Sequence, residues 1–137
     1  MLTIIGYFII VNKSGWLYFS ELMKGLITIE KLKLKVTIDR PIGYIDDYNN
    51  CYPLNYGYIS GIIGGDGEAQ DAYIISKNAM MPLNTFEGEL IAIITRNDDI
   101  ETKWVVSDVG ASYSVNEIAD KVNFLEKYFD SSIELIQ

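Results

Sequence analysis

The chain of 137 residues contains no histidine and only one cysteine. Without histidine there is no imidazole to act as a general base in a catalytic triad or as a zinc ligand. The single cysteine, Cys51, cannot form an internal disulfide, and it lacks the histidine that would activate it as a nucleophile. Any chemistry must therefore use carboxylates, tyrosines, lysine or a bound metal.

Basic residues are also scarce. Lysine and arginine number 11 against 19 acidic residues, which leaves a formal net charge of −8. This balance disfavours nucleic acid and anionic membranes as partners, because both require clustered positive charge. Residues 2–11 are almost wholly apolar, but a membrane span needs about 20 such residues. No basic stretch or cleavage site marks a secretory signal, so the sequence predicts a cytoplasmic protein.

The length and the composition predict a single domain. Hydrophobic residues make up 49% of the chain, enough for a core without disulfides. We expect residues 31–137 to form a barrel domain and residues 1–30 to be an apolar extension. Three interpretations of this extension remain open: a strand packed on the barrel, a subunit contact in a homo-oligomer, or a segment upstream of a start at Met23.

Hydrophobic periodicity predicts a mainly β (α+β) fold. Residues 32–38 alternate between apolar and polar side chains, which is typical of a half-buried strand. Apolar, β-branched runs predict further strands at 56–63, 71–76, 88–95 and 102–107. Ser114 and Glu117 form a capping box for one helix. The predicted apolar face of this helix consists of Val115, Ile118, Val122, Leu125 and Phe129. Five short strands and a C-terminal helix indicate a small barrel.

Two neighbouring motifs carry the candidate chemistry. The tyrosine-rich segment 52–59 reads Tyr-Pro-Leu-Asn-Tyr-Gly-Tyr-Ile, and segment 64–71 contains Asp66, Glu68 and Asp71. Asp71 opens an apolar strand, where an unpaired charge would be costly. A third acidic group (Asp98, Asp99 and Glu101) directly precedes Lys103. Carboxylate oxygens are the ligands that Mg²⁺ prefers, so the motifs indicate a magnesium-assisted phosphate site. The plainer alternatives are solvated turn acids and packing tyrosines.

Together these motifs resemble the soluble (family I) inorganic pyrophosphatases, in a short and divergent form. The family pattern consists of Y-P-x-N-Y-G-Y/F-I, then D-G-D-P-x-D, then an acidic pair followed by lysine. Residues 122–129 also resemble the closing helix of the family. The resemblance covers about Val36 to Phe129. It implies an OB-like barrel that hydrolyses pyrophosphate to two phosphates with a magnesium-activated water.

The resemblance also implies roles for individual residues. The expected metal ligands are Asp66, Asp71, Glu101 and either Asp98 or Asp99. Glu68 is expected to accept the proton of the attacking water or to orient that water. The expected contacts to phosphate are Lys103, Tyr56, Tyr128, Tyr52 and Arg40. Because bare carboxylates would repel a polyanion, we expect two or more divalent ions to reverse the local charge.

Several cationic positions of the family pattern are not matched. Phe129 stands where the family has a lysine, and the upstream lysine-containing segment is missing. A charged hydrogen bond contributes about 1.5–3 kcal/mol, so we expect slow turnover or weak substrate binding. Two other functions stay open. One is a non-catalytic barrel that binds metal and phosphate, and the other is a single-strand nucleic-acid binder with aromatic stacking platforms, which the acidic charge disfavours.

Overall fold

The computed structural model describes residues 32–99 and 101–136, together with the backbone of the short strand at residues 9–11. Within these parts of the chain there are seven strands and one helix. The strands are β1 (Ile9–Val11), β2 (Lys33–Arg40), β3 (Tyr56–Gly64), β4 (Ala69–Ile74), β5 (Thr85–Arg96), β6 (Thr102–Ser107) and β7 (Ser131–Leu135). The helix α1 spans Val115–Glu126 and lies between β6 and β7.

The strands β2 to β6 form a closed barrel. Their order is β3-β2-β5-β6-β4, and an additional antiparallel pairing of β3 with β4 closes the ring. The other two strands extend it at the outside: β1 pairs in parallel with β3, and β7 pairs antiparallel with β5. Closure removes the free strand edges of the five barrel strands. The predicted mainly β barrel with a C-terminal helix is therefore confirmed.

Alternation along the strands divides the apolar residues into two clusters, because successive side chains of a strand point to opposite faces. All five barrel strands contribute to the first cluster, which fills the barrel and contains Trp104 as its largest buried side chain. The second cluster lies on the other face of the wall, where Tyr73 and Val105 pack against Ile118 and Val122 of α1. The helix therefore covers one side of the barrel.

The positions of most elements agree with the sequence prediction. The strands predicted at 56–63 and 102–107 lie at Tyr56–Gly64 and Thr102–Ser107, and Ser114 and Glu117 form the expected capping box. Two residues of the predicted apolar helix face are exceptions, since Val115 is exposed and Phe129 lies beyond the end of the helix at Glu126. The sequence analysis also missed β7, a short strand that becomes recognisable only through its pairing with β5.

Little of the predicted N-terminal extension lies within the described residues. Ile9–Val11 pair with Ile62 to Gly64, so this part of the extension is a strand added to the barrel. Met23 lies outside the described residues, and the domain boundary at residues 30 and 31 stays a prediction. The 12-residue helix α1 is too short for a bilayer, and no helix in the described parts of the chain has the length and hydropathy of a membrane span.

Gly57 allows β2 and β3 to approach closely. A β-carbon built on Gly57 would lie 1.8 Å from the carbonyl oxygen of Thr37 and 2.9 Å from the α-carbon of Ile38. Both are backbone atoms, so the strands would have to separate. We expect Gly57→Ala to lower the free energy of unfolding by about 3 kcal/mol or more, measured by urea denaturation.

Gly43→Ala is the control for this prediction. Gly43 has a φ of +90° but no atom within 4 Å of a built β-carbon. The substitution should therefore cost only the backbone strain, about 1–2 kcal/mol. Equal losses for the two variants would show that the close approach of β2 and β3 does not limit stability.

Candidate active site

A cavity of about 640 Å³ opens beside the C-terminal end of α1, on the side of the barrel that the helix covers. It is lined by strand residues, by the loop that follows β2 and by the end of the helix. The lining residues are Asp39, Arg40, Asp46, Tyr48, Asn50, Tyr56, Asp71, Arg96, Glu101, Lys103, Leu125, Tyr128 and Phe129. Four carboxylates and three cations face each other here, so charged chemistry concentrates in this cavity.

Lys103 lies at the centre of the charged groups. Its ammonium nitrogen is 2.6 Å from a carboxylate oxygen of Asp71 and 2.6 Å from one of Glu101. The pairing of the strands explains the first contact. β4 and β6 are parallel, with Ala72 opposite Trp104. Asp71 and Lys103 each lie one residue earlier on their strands, so they are neighbours on the same face of the sheet. The side chain of Lys103 is 5% exposed. A buried ammonium of this kind needs an ionised partner, and Lys103 has two.

Arg96 provides a second buried cation. It is the last residue of β5, and its guanidinium donates to both carboxylate oxygens of Glu126, at 3.1 and 2.7 Å. A third nitrogen lies 3.4 Å from Glu101. The aromatic ring of Phe129 lies with its centre 3.6 Å from the guanidinium carbon. Arg96 is therefore held on two sides, and Glu101 is shared between Arg96 and Lys103.

Glu126 anchors this network to the barrel and to β7. It accepts hydrogen bonds from the hydroxyls of Tyr73 (2.5 Å) and Ser131 (2.6 Å) as well as from Arg96. Burial by itself would raise the pKa of Glu126, but the hydrogen bonds from Arg96, Ser131 and Tyr73 outweigh burial and lower it. Glu126 is therefore ionised and keeps Arg96 in place.

Tyrosines and a third cation form another wall. Arg40 donates to the hydroxyl of Tyr52 at 2.5 Å, and its guanidinium lies 5.4–5.6 Å from the ring centres of Tyr44, Tyr52 and Tyr56. Burial, followed by the charge of Asp71 and a hydrogen bond with it, raises the pKa of Tyr56 well above its ordinary value. Tyr56 thus stays protonated and can donate a hydrogen bond.

The cavity thus contains some of the predicted site residues. Six of them line it: Arg40, Tyr56, Asp71, Glu101, Lys103 and Tyr128. Tyr128 lies at the rim, where its exposed hydroxyl donates to the side-chain oxygen of Asn50 at 3.2 Å. Tyr52 is fully buried behind the lining, where its hydroxyl accepts from Arg40 and its ring packs edge-on against that of Tyr56.

Three predicted residues lie elsewhere. Asp66 and Glu68 are exposed at the tip of the β3–β4 hairpin, where Asp66 accepts a hydrogen bond from the amide of Glu68 at 3.0 Å. The hairpin extends beyond the level of Asp71 and so carries these acids away from the cavity lining. Asp98 is exposed as well and contacts the amide of Asp130 at 3.4 Å. The predicted group of four carboxylate ligands is therefore not brought together.

The sequence analysis missed Asp39, which lines the cavity, and two residues of the buried charge network. Arg96 follows a long apolar run, and this position suggested only the end of a strand. Glu126 offered a signal, because Ile118, Val122 and Glu126 follow one another at four-residue spacing on one helix face. A carboxylate in line with two buried apolar residues indicates a buried acid that needs a cation. That cation is Arg96.

Asp71 and Glu101 are the carboxylates that fit a magnesium ion. Both contact the same atom of Lys103, so their oxygens converge on one point of the cavity. Mg²⁺ typically takes one or two carboxylates from the protein and completes its coordination with water and substrate phosphates. Within residues 32–99 and 101–136, no group of three acidic or cysteine side chains converges as a metal site. Two carboxylates fit an ion that completes its coordination with water or with a bound anion.

Comparison with known proteins agrees with this architecture. A closed five-stranded barrel with one C-terminal helix belongs to the class of OB-like folds. The inorganic pyrophosphatase of Ehrlichia chaffeensis has the same fold, with a TM-score of 0.55 and 13% identity over 80% of this chain and 88% of that chain. The family model for inorganic pyrophosphatase matches residues 28–135. The chain therefore belongs to the inorganic pyrophosphatase family.

Two curated relatives carry the same description. The inorganic pyrophosphatase of Corynebacterium glutamicum is 33% identical over 70 residues, which cover 47% of this chain and 44% of the relative. That of Corynebacterium efficiens is 28% identical over 100 residues, which cover 67% of this chain and 63% of the relative. The matches thus span less than two thirds of the length of these relatives.

Proposed function

We propose that this protein hydrolyses inorganic pyrophosphate to two phosphates, with pyrophosphate entering the cavity as its magnesium complex. The observation that carries the proposal is the position of Lys103 between Asp71 and Glu101, inside a cavity that also presents Arg40 and Arg96. Three cations beside two convergent carboxylates suit a ligand that combines phosphate oxygens with a divalent ion. The proposal assigns the reaction to the cytoplasm.

The charge of the lining supports the need for a divalent ion. Three cations face four carboxylates, which leaves a formal charge of −1. A free polyanion would therefore enter against a slight repulsion, and its magnesium complex, which carries two fewer negative charges, would enter against a smaller one. Asp71 and Glu101 would hold the ion. When bound, Mg²⁺ neutralises phosphate charge and makes water a stronger nucleophile.

The residues of the chain itself position the substrate. Phosphoryl transfer is catalysed largely by positioning and by electrostatic stabilisation. We assign Lys103, Arg96 and Arg40 to the phosphate oxygens, on which negative charge develops as the anhydride bond breaks. Tyr56 remains protonated, and we assign its hydroxyl, which hydrogen-bonds Asp71 in the free site, to the same oxygens once the substrate is bound. Tyr128 lies at the rim. Tyr52 holds Arg40 in place through its hydroxyl group.

Asp39 is our candidate for the proton acceptor, because Glu68 lies outside the cavity. Asp39 belongs to the lining, and its pKa is raised chiefly by burial, which outweighs the opposing charge of Arg40, and further by the charge of Asp71. A carboxylate with a raised pKa is a stronger base. It would take the proton of the attacking water and release it with the product phosphate.

A phosphate-release assay on the full chain tests the proposed function. With pyrophosphate and Mg²⁺ we expect phosphate to accumulate in proportion to protein, and with excess EDTA we expect the rate to fall at least about 100-fold. A chain that has equal rates in both conditions, or none above buffer in magnesium, contradicts the proposal.

A phosphate-binding barrel without turnover is the second candidate. The three cations of the lining can bind phosphate without turnover, and the net charge of −8 disfavours a nucleic-acid binder. Methylenediphosphonate, which has a carbon bridge that cannot be hydrolysed, separates the candidates. Calorimetric binding of this analogue, together with no phosphate release from pyrophosphate, would identify the binding function.

A further inference from the structure

The site contains cations of its own at the points where divalent ions were expected. The nitrogen of Lys103 lies 2.6 Å from both Asp71 and Glu101, the same two carboxylates that could hold a metal. An ammonium at hydrogen-bond distance from two carboxylates competes with a metal ion for their oxygens. An added ion must therefore displace this contact or bring further ligands with it.

Arg96 also competes with a metal ion for the carboxylate of Glu101, from the side opposite Lys103. Its guanidinium contacts Glu101 at 3.4 Å and is fixed by two hydrogen bonds to Glu126. Glu126 in turn accepts hydrogen bonds from Tyr73 and Ser131, so it cannot turn away toward a metal without leaving these partners unsatisfied. Arg96 is thus a permanent part of the cavity wall.

The charges of this network decide how many ions it can accept. Asp71, Glu101 and Glu126 contribute three negative charges, and Lys103 and Arg96 contribute two positive charges. The network therefore has a formal charge of −1, and one divalent ion changes it to +1. Without a polyanion, a second ion would therefore meet a site that is already positive. With a bound phosphoanhydride the limit is the number of protein ligands, because within residues 32–99 and 101–136 no third acidic side chain converges on this point.

We propose that Lys103 and Arg96 are built-in cations that replace divalent ions, so that each chain binds one divalent ion, and binds it only together with a phosphoanhydride. This inference rests on the proposed function. It differs from the sequence-based expectation of two or more ions. The resident cations contact phosphate oxygens directly, whereas the single ion arrives with its ligand and is shared by Asp71 and Glu101.

The number of bound ions provides the main test. We would titrate the full chain with Mn²⁺ and follow free Mn²⁺ by electron paramagnetic resonance, with and without saturating methylenediphosphonate. We expect one bound Mn²⁺ per chain with the analogue, and affinity at least about tenfold weaker without it. Two or more ions per chain would overturn the proposal. Equal affinity with and without the analogue would also overturn it.

A variant at position 103 tests the role of the resident cation. Lys103→Met removes the charge but keeps much of the side-chain volume, and it leaves Asp71 and Glu101 free for a metal. We expect it to bind Mn²⁺ without the analogue at least about tenfold more tightly than the wild type does. Lys77→Met is the matched control, because Lys77 is exposed and lies outside the cavity lining.

The control should bind Mn²⁺ as the wild type does. If Lys103→Met binds Mn²⁺ no better than Lys77→Met, the ammonium does not compete with metal and the proposal fails. If Lys103→Met does not fold, as judged by circular dichroism, the number of Mn²⁺ ions bound per wild-type chain still tests the proposal. Phosphate release is measured separately. Hydrolysis with three bound ions would refute only this inference, whereas one bound ion without hydrolysis would refute only the proposed function.

Discussion

Asp71→Asn is expected to reduce phosphate release from pyrophosphate at least about 100-fold, with little change in stability. Asp71 is partly exposed and contacts both Lys103 and Tyr56. The amide keeps the size of the side chain but removes the charge that a magnesium ion requires. Initial rates with saturating pyrophosphate and Mg²⁺ measure the loss, and thermal unfolding shows whether the variant is folded.

Asp66→Asn is the matched control, because it makes the same chemical change at the tip of the β3–β4 hairpin. Asp66 does not belong to the cavity lining, so we expect the rate to stay within about threefold of the wild type. The pair of variants distinguishes a site that uses Asp71 without the hairpin acids from a site in which Asp66 acts together with Asp71. If both variants lose activity to the same extent, the hairpin acids act together with Asp71, and the proposed division of the motif is wrong.

Glu126→Ala is expected to have the largest effect on stability. Arg96 would lose its bidentate partner while remaining buried, with 4% of its surface exposed. Removing one member of a buried ion pair costs about 3–5 kcal/mol, because the other charge is left uncompensated. Urea denaturation measures this loss as a lower midpoint with an unchanged slope.

Asp120→Ala removes the same charge from an exposed position of the same helix. Its effect should stay within about 0.5 kcal/mol, as is usual for surface substitutions. Arg96→Met combined with Glu126→Leu should recover part of the loss, since no buried charge remains unpaired. If Glu126→Ala and Asp120→Ala are equally stable, the pair of Arg96 and Glu126 does not hold the helix to the barrel.

The pH dependence of stability provides a second readout for Glu126. Its pKa in the folded chain lies below the ordinary value of 4.5. The stabilisation from its ionised form is therefore fully present above the unfolded-state pKa and is lost as the pH falls through the lower folded-state pKa. We expect the stability difference between the wild type and Glu126→Ala to be constant near neutral pH and to shrink below pH 4.5.

The barrel could be predicted because its signals are local. Residues 32–38 alternate with a period of two, and the capping box at Ser114 marks the helix start. Both patterns depend on neighbours in the sequence, and the structure confirms both. β7 has no comparable signal, because its five residues are stabilised by pairing with β5. Such a strand becomes visible only when its partner is known.

The site was only partly predictable, for the same reason. Asp71 and Lys103 could be selected because each is a charged residue at the start of an apolar strand. Asp66, Glu68 and Asp98 lie in acidic segments that match the family motifs equally well, yet the structure places these three residues on exposed turns. Motif spacing does not determine whether a hairpin ends at the cavity or extends past it. Strand register determines this.

By itself the sequence determined most of the elements, the barrel class and the family, because hydrophobic period, capping and motif order are properties of contiguous residues. Only the tertiary structure decided which charges meet. The end of β5, the end of α1 and the start of β7 converge to place Arg96 beside Glu126 and Ser131, although Arg96 lies 30 residues before Glu126 in the chain. Charge interactions depend on distance in space and on burial, and only the folded chain sets these two quantities.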